Sequence, residues 1–202
     1  MKIHILFGMI GFILLSGCNR AAEKNPRFYD AGVSRELAGH RKAQIKNLKY
    51  ELSFNIPRQK EVAIEGDITL RFDLASRQEV LIDFREEREK IKEVIANGVP
   101  VDKVRFENEH IILPASSTVE GANGIRIRFT AGNQSLNRND EYLYTLLVPD
   151  RARTVFPCFE QPNLKAEFTL QLELPADWKA VSNTYIRSET VTDDRKTTDR
   201  TS

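Results

Sequence analysis

The stretch Tyr50-Glu51-Leu52-Ser53-Phe54-Asn55-Ile56-Pro57, followed by Gly66-Asp67-Ile68-Thr69-Leu70-Arg71-Phe72-Asp73-Leu74, decides the fold class. Apolar residues stand at every second position, from Tyr50 to Ile56 and again through Val62, Ile64, Ile68, Leu70, Phe72 and Leu74. A period of two belongs to a half-buried strand. Gly66 marks a bulge or a close approach within the second run. Working outward, Val80, Ile82 and Phe84 give a third short strand, and Asn97-Gly98 between Val94-Ile95 and Val99-Val101 is a hairpin signal. Val104 and Phe106 lead to a turn at Asn108-Glu109 and then to His110 to Leu113. Ile125, Ile127 and Phe129 alternate, as do Tyr142, Tyr144, Leu146 and Val148, and Phe168, Leu170, Leu172 and Leu174. Trp178 to Val181 is a last short apolar segment. Short strands at regular spacing, with Gly, Pro and Asn between them, predict an all-β fold. The expected form is an antiparallel β-sandwich or saddle-shaped double sheet.

Both ends of the chain read differently. Lys2 precedes an apolar run from Ile5 to Leu15 that is too short to span a bilayer as a helix. Its basic start and small-residue end describe a secretory signal over residues 1–17. Leu15-Ser16-Gly17-Cys18 is similar to the lipobox of bacterial lipoproteins, which implies lipidation of Cys18 and a location in the cell envelope. A plain signal with an incidental cysteine is the alternative. Residues 18–44 read as a polar tether ending in a short helix from Ser34 to Ala43, with Ser34 as N-cap. The β domain is expected over 45–186. From Arg187 to Ser202 the only aliphatic residue is Val191, so residues 187–202 are expected to be a disordered, truncated tail.

Composition limits the functions available. The 202 residues are 41% hydrophobic and 29% charged, with a net charge of +1. That is ordinary for a globular domain, and without a long basic run it argues against a nucleic-acid partner. With Cys18 lipidated, Cys158 has no partner for an internal disulfide. Flanked by Phe156, Pro157 and Phe159, it reads as a small buried hydrophobe.

The most specific motif runs Pro149-Asp150-Arg151-Ala152-Arg153-Thr154-Val155-Phe156-Pro157-Cys158-Phe159-Glu160-Gln161-Pro162. Lys165-Ala166, Pro175, Trp178 and Val181-Ser182-Asn183 follow in order. This resembles the end of the N-terminal domain in the aminopeptidase N family of zinc metallopeptidases, and Tyr50 to Phe72 resembles that domain's opening hairpin. Read physically, the phenylalanines of the motif are core, and Pro157 and Pro162 make it a rigid connection. Arg153 in such apolar surroundings needs an acid, and Glu160 is the candidate by spacing.

The resemblance implies a scaffold and substrate-cleft domain of a membrane-anchored enzyme that removes N-terminal residues from peptides. Zinc in that family sits on a His-Glu-x-x-His helix plus a distant Glu. This chain has no such segment, so no catalytic and no metal-ligating residue is assigned to it, and its partner would be the absent catalytic domain. The family's Gly-Ala-Met-Glu-Asn segment is also lacking. Where family members carry Gln and Glu in a Thr-Gln-x-Glu-Pro segment facing the substrate, this chain has Leu146 and Val148. Those two are the candidate cleft residues, the alternative being that Tyr144, Leu146 and Val148 are one apolar face of a strand. The competing function is a free-standing β-sandwich lipoprotein that binds peptide or glycan without catalysis, marked by exposed aromatics on one sheet face.

Overall fold

Ser34 does cap a helix. In the computed structural model, which describes residues 26–201, its hydroxyl accepts from the Leu37 amide at 3.1 Å and opens α1 (Arg35–Gln44). The signal, Cys18 and the start of the tether lie outside the described residues. Thirteen strands follow among the described residues: β1 (Ile45–Asn55), β2 (Glu65–Leu74), β3 (Val80–Asp83), β4 (Ile91–Ala96), β5 (Val99–Pro100), β6 (Arg105–Glu107), β7 (His110–Leu113), β8 (Gly121–Thr130), β9 (Leu136–Arg138), β10 (Leu143–Thr145), β11 (Glu167–Pro175), β12 (Tyr185–Thr192) and β13 (Arg195–Thr201). Eight of them form one sheet in the order β12-β13-β11-β1-β2-β8-β4-β5, and β3-β7-β6 and β10-β9 form two small ones. The all-β expectation holds. One pair departs from antiparallel: β1 runs parallel to β11, Tyr50 opposite Phe168. A parallel neighbour needs a long crossover, and here it spans everything between the two strands.

Alternation in the large sheet follows the pattern in the sequence. Tyr50, Leu52, Ile68, Leu70, Ile125, Ile127 and Phe129 point into one core. The opposite face carries cross-strand ion pairs, Glu51–Arg71 at 2.7 Å, Asp67–Arg126 at 2.6 Å and Lys49–Glu167 at 2.7 Å. Such exposed pairs contribute little each and mainly keep this face wet. Gly66 is a close approach: a Cβ there would stand 2.3 Å from the Phe129 ring opposite.

The small sheet is covered on both sides, which is why every residue of β3 and β7 is buried. Val80, Ile82, Ile111 and Leu113 face the large sheet, whereas Leu81 and Ile112 meet Leu37 of α1 together with Phe28 and Tyr29. Asn97 and Gly98, with φ of 52° and 81°, make the expected hairpin turn, and Asn108 and Glu109 make another at 47° and 69°.

The expected disordered tail is instead the hairpin β12–β13, which extends the large sheet beyond β11. Apolar burial was the wrong criterion for it. Every residue of β12 is exposed, so the hairpin rests on the backbone ladder and on side chains that reach carbonyls. Arg200 is buried and donates to the carbonyls of Ala180 at 2.6 Å and Thr184 at 3.0 Å. Lys196 donates to the Trp178 carbonyl at 3.1 Å. Trp178 packs against the core, but Val181 is 92% exposed and the segment between them forms no strand.

Candidate functional site

The motif from Pro149 to Pro162 is a joint between layers. A short 3-10 turn at Ala152–Thr154 precedes a single bridge in which Cys158 and Asp83 exchange backbone bonds at 2.8 and 3.0 Å. Phe156 and Phe159 are buried and meet Phe54 and Phe72 edge-on, with ring centroids 6.3 and 5.6 Å apart. These rings are core, as the sequence predicts.

Beneath the joint lies a buried ionic cluster. Asp83 has no exposed surface and receives both terminal nitrogens of Arg41, at 2.7 and 2.6 Å, together with the Glu160 amide at 2.8 Å. Arg41 also donates to the Leu81 carbonyl and lies over the Phe159 ring. Nε2 of His110 donates to the Asp30 carbonyl at 2.9 Å, since a carbonyl only accepts. Its Nδ1 stands 2.8 Å from the Asp83 carboxylate. Burial pushes the Asp83 carboxyl up, but Arg41 and His110 outweigh it and hold the group at about 2.

Arg153 is a second buried cation. Its acids are Glu109 and Asp150, each at 2.8 Å, and not Glu160. Glu160 accepts instead from the Arg153 backbone amide at 2.7 Å. Spacing alone pointed to the wrong carboxylate because the β6–β7 turn, remote in sequence, delivers Glu109. Cys158 is fully enclosed, and burial followed by the nearby Glu160 charge raises its thiol well above the ordinary value. It is no nucleophile in this fold.

Leu146 and Val148 lie at the surface, 51% and 85% exposed, beside Tyr142 and Tyr144 at 52% and 49%. The residues between them, Leu143 and Leu147, are the ones that turn toward the core. The period of two was therefore read from the right residues with inside and outside exchanged. The result is an exposed apolar row that runs from Tyr142, just before β10, through Tyr144 on that strand to the loop after it, with the two tyrosine rings 6.0 Å apart. Arg153 fixes the end of this row by holding Asp150. The Arg41–Asp83–His110 cluster went unpredicted, although a carboxylate inside Val80-Leu81-Ile82-Asp83-Phe84 was its visible sign.

Among the described residues no group of three or more His, Cys, Asp and Glu is arranged to hold a metal ion. His40 bonds Gln78 at 2.7 Å and His110 is taken up by Asp30 and Asp83, so these residues do not fit a zinc site.

The peptidase M1 N-terminal domain model matches residues 46–200. Over 165 residues, 75% of this chain, the sequence is 32% identical to aminopeptidase N of Streptomyces lividans. Over 156 residues, 68% of the chain, it is 25% identical to leucine aminopeptidase 2 of Candida glabrata. The chain spans only 19% and 23% of the lengths of those two relatives. The M1 zinc metallopeptidase of Deinococcus radiodurans shares the fold, with a TM-score of 0.66 at 19% identity over 78% of this chain and 39% of that one.

Proposed function

The chain belongs to the peptidase M1 N-terminal domain family, and on that premise we propose that it is the scaffold and one wall of the substrate cleft of a zinc aminopeptidase, held at a bacterial membrane through lipid on Cys18. The observation that carries the cleft role is the exposed row Tyr142, Tyr144, Leu146 and Val148. Contiguous exposed apolar side chains mark surfaces that meet a ligand or another domain. Here Tyr144 stands on β10, and Leu146 and Val148 stand on the loop after it, next to the Asp150 that Arg153 holds. Zinc and the hydrolytic groups would come from a catalytic domain packed beside this wall. The tyrosine pair would also suit a free-standing binding module, but the family match across the β domain weighs for the scaffold.

Leu146 and Val148 cannot accept a hydrogen bond from an ammonium group. The wall therefore offers apolar contact to the peptide and leaves its free amine to the catalytic domain. The test joins this domain to the remainder of the Streptomyces lividans relative and introduces Leu146→Gln with Val148→Glu. A carboxylate facing a buried amine is worth on the order of 2–5 kcal/mol. Expected is a rise in kcat/KM for free-amine peptides relative to N-acetylated ones. If the ratio does not move, these positions do not face the peptide terminus.

A further inference from the structure

The outer face of α1 carries charge that the rest of the domain leaves unmatched. Arg35, Gly39, Lys42 and Ala43 are its exposed positions, and Lys46 follows just beyond the helix, also exposed. Residues three, four and seven apart lie on one side of a helix, so Arg35 and Lys42 share a stripe. Among the described residues no carboxylate lies within 4 Å of Arg35, Lys42 or Lys46; Glu36, beside Arg35 in sequence, is engaged by Arg27, and Asp73, opposite Lys46 across β1–β2, accepts from Asn47. Cations on the outer face of the large sheet behave differently, because Lys49, Arg71, Arg126 and Arg128 each face a carboxylate. The stripe is built on a firm base. Leu37 is buried on the inner side of the same helix, and Arg41 locks that side to Asp83.

Position adds a second constraint. The Arg27–Glu36 pair fastens the start of the described chain to the first turn of α1. Eight peptide units separate Cys18 from Pro26, and fully extended they span at most about 28 Å. An acyl group on Cys18 would keep Pro26 within that distance of the headgroups, and α1, which begins nine residues further on, could then lie against them.

We infer that the Arg35–Lys42–Lys46 face of the domain lies against the anionic headgroups of the membrane, acting as the electrostatic half of a two-part anchor whose other half is the lipid on Cys18. This rests on the lipidation reading proposed above. Basic side chains beside an anionic leaflet each strengthen attachment by about fivefold and do so only within a Debye length. An acyl anchor on a tether of this reach allows them inside that distance, and their charge is what would hold them there.

The test uses the full chain, produced in a lipoprotein-processing bacterium and reconstituted into vesicles containing phosphatidylglycerol or into vesicles of phosphatidylcholine alone. Intact mass first establishes whether Cys18 carries acyl groups. A fluorophore is then placed through Ala43→Cys, or through Thr190→Cys on the exposed strand β12 as the reference, with buried Cys158 silent. Quenching by a headgroup-attached quencher is read for both. Expected is several-fold stronger quenching at position 43 than at 190 on phosphatidylglycerol vesicles. The difference should collapse in high salt, on phosphatidylcholine, and in Arg35→Glu/Lys42→Glu/Lys46→Glu. Equal quenching of an acylated protein at the two positions overturns the inference while leaving the anchor intact. Absence of acyl mass overturns the anchor, and the inference with it.

Discussion

Replacing Arg41 by Ala should destabilise the domain in a manner that depends on pH. Asp83 is fully buried and Arg41 supplies its two shortest side-chain bonds, at 2.6 and 2.7 Å. Removing one partner of a buried ion pair leaves the other uncompensated and typically costs about 3–5 kcal/mol. The Glu160 amide and His110 remain beside the carboxylate, so about 3 kcal/mol is expected near neutral pH. The sign of the pH effect follows from the folded value of about 2 against an ordinary 3.8. A depressed carboxyl stabilises the fold above its unfolded value and loses that contribution as pH falls from about 4 toward 2, here about 2 kcal/mol. In the variant burial is opposed mainly by His110, the folded carboxyl rises, and that acid-dependent loss shrinks. Wild type and variant should therefore differ most at neutral pH and converge toward pH 2. Asp83→Asn, with no carboxyl at that site, should lack this contribution to the acid limb. Urea unfolding followed by Trp178 fluorescence at a series of pH values measures both effects. A penalty below about 1 kcal/mol for Arg41→Ala, the range of an exposed pair, would refute the structural role given to the cluster. So would a difference between the two proteins that is constant from pH 7 to pH 2.

Three further outcomes are expected. Cys158 should resist thiol reagents in the native protein and react fully in urea, because it is enclosed and its thiol is pushed up; rapid native labelling, read by mass, would contradict the packing. Gly66→Ala should cost about 1–3 kcal/mol through overlap with the Phe129 ring, 2.3 Å from the new carbon, and a thermal melt unchanged from wild type would mean that the strands part easily there. Arg200→Ala should leave the Ala180 and Thr184 carbonyls unmatched and raise amide exchange across residues 185–201, with little change in β1 or β2.

Most of the fold was legible because burial in the large sheet falls on one face. Tyr50, Leu52, Ile68 and Leu70 alternate with charged or hydroxylated partners, and that pattern has only one physical reading. The turn residues Asn97-Gly98 and Asn108 were equally plain, since their positive φ selects such residues. Three features were hidden for distinct reasons. The hairpin β12–β13 leaves its few apolar residues, Tyr185, Ile186 and Val191, exposed and is held by backbone bonds and by Arg200, which composition cannot reveal. The partners of Arg153 come from Asp150 and from the distant turn residue Glu109, whereas spacing alone suggested Glu160. Along residues 142–148 both faces are apolar, with Leu143 and Leu147 between Tyr142, Tyr144, Leu146 and Val148. Periodicity then fixes the alternation but not which side is buried. The exposed row was thus visible as residues and not as a surface.

That this domain shapes a cleft while the chemistry belongs to a catalytic partner is tested most directly by assaying the purified chain for zinc and for release of N-terminal residues from peptides. The expected result is no stoichiometric, tightly held zinc and no chelator-sensitive hydrolysis, with both appearing once the domain is joined to the remainder of its Streptomyces lividans relative. Bound zinc at one equivalent, together with chelator-sensitive release of N-terminal amino acids by the 202-residue chain alone, would contradict it.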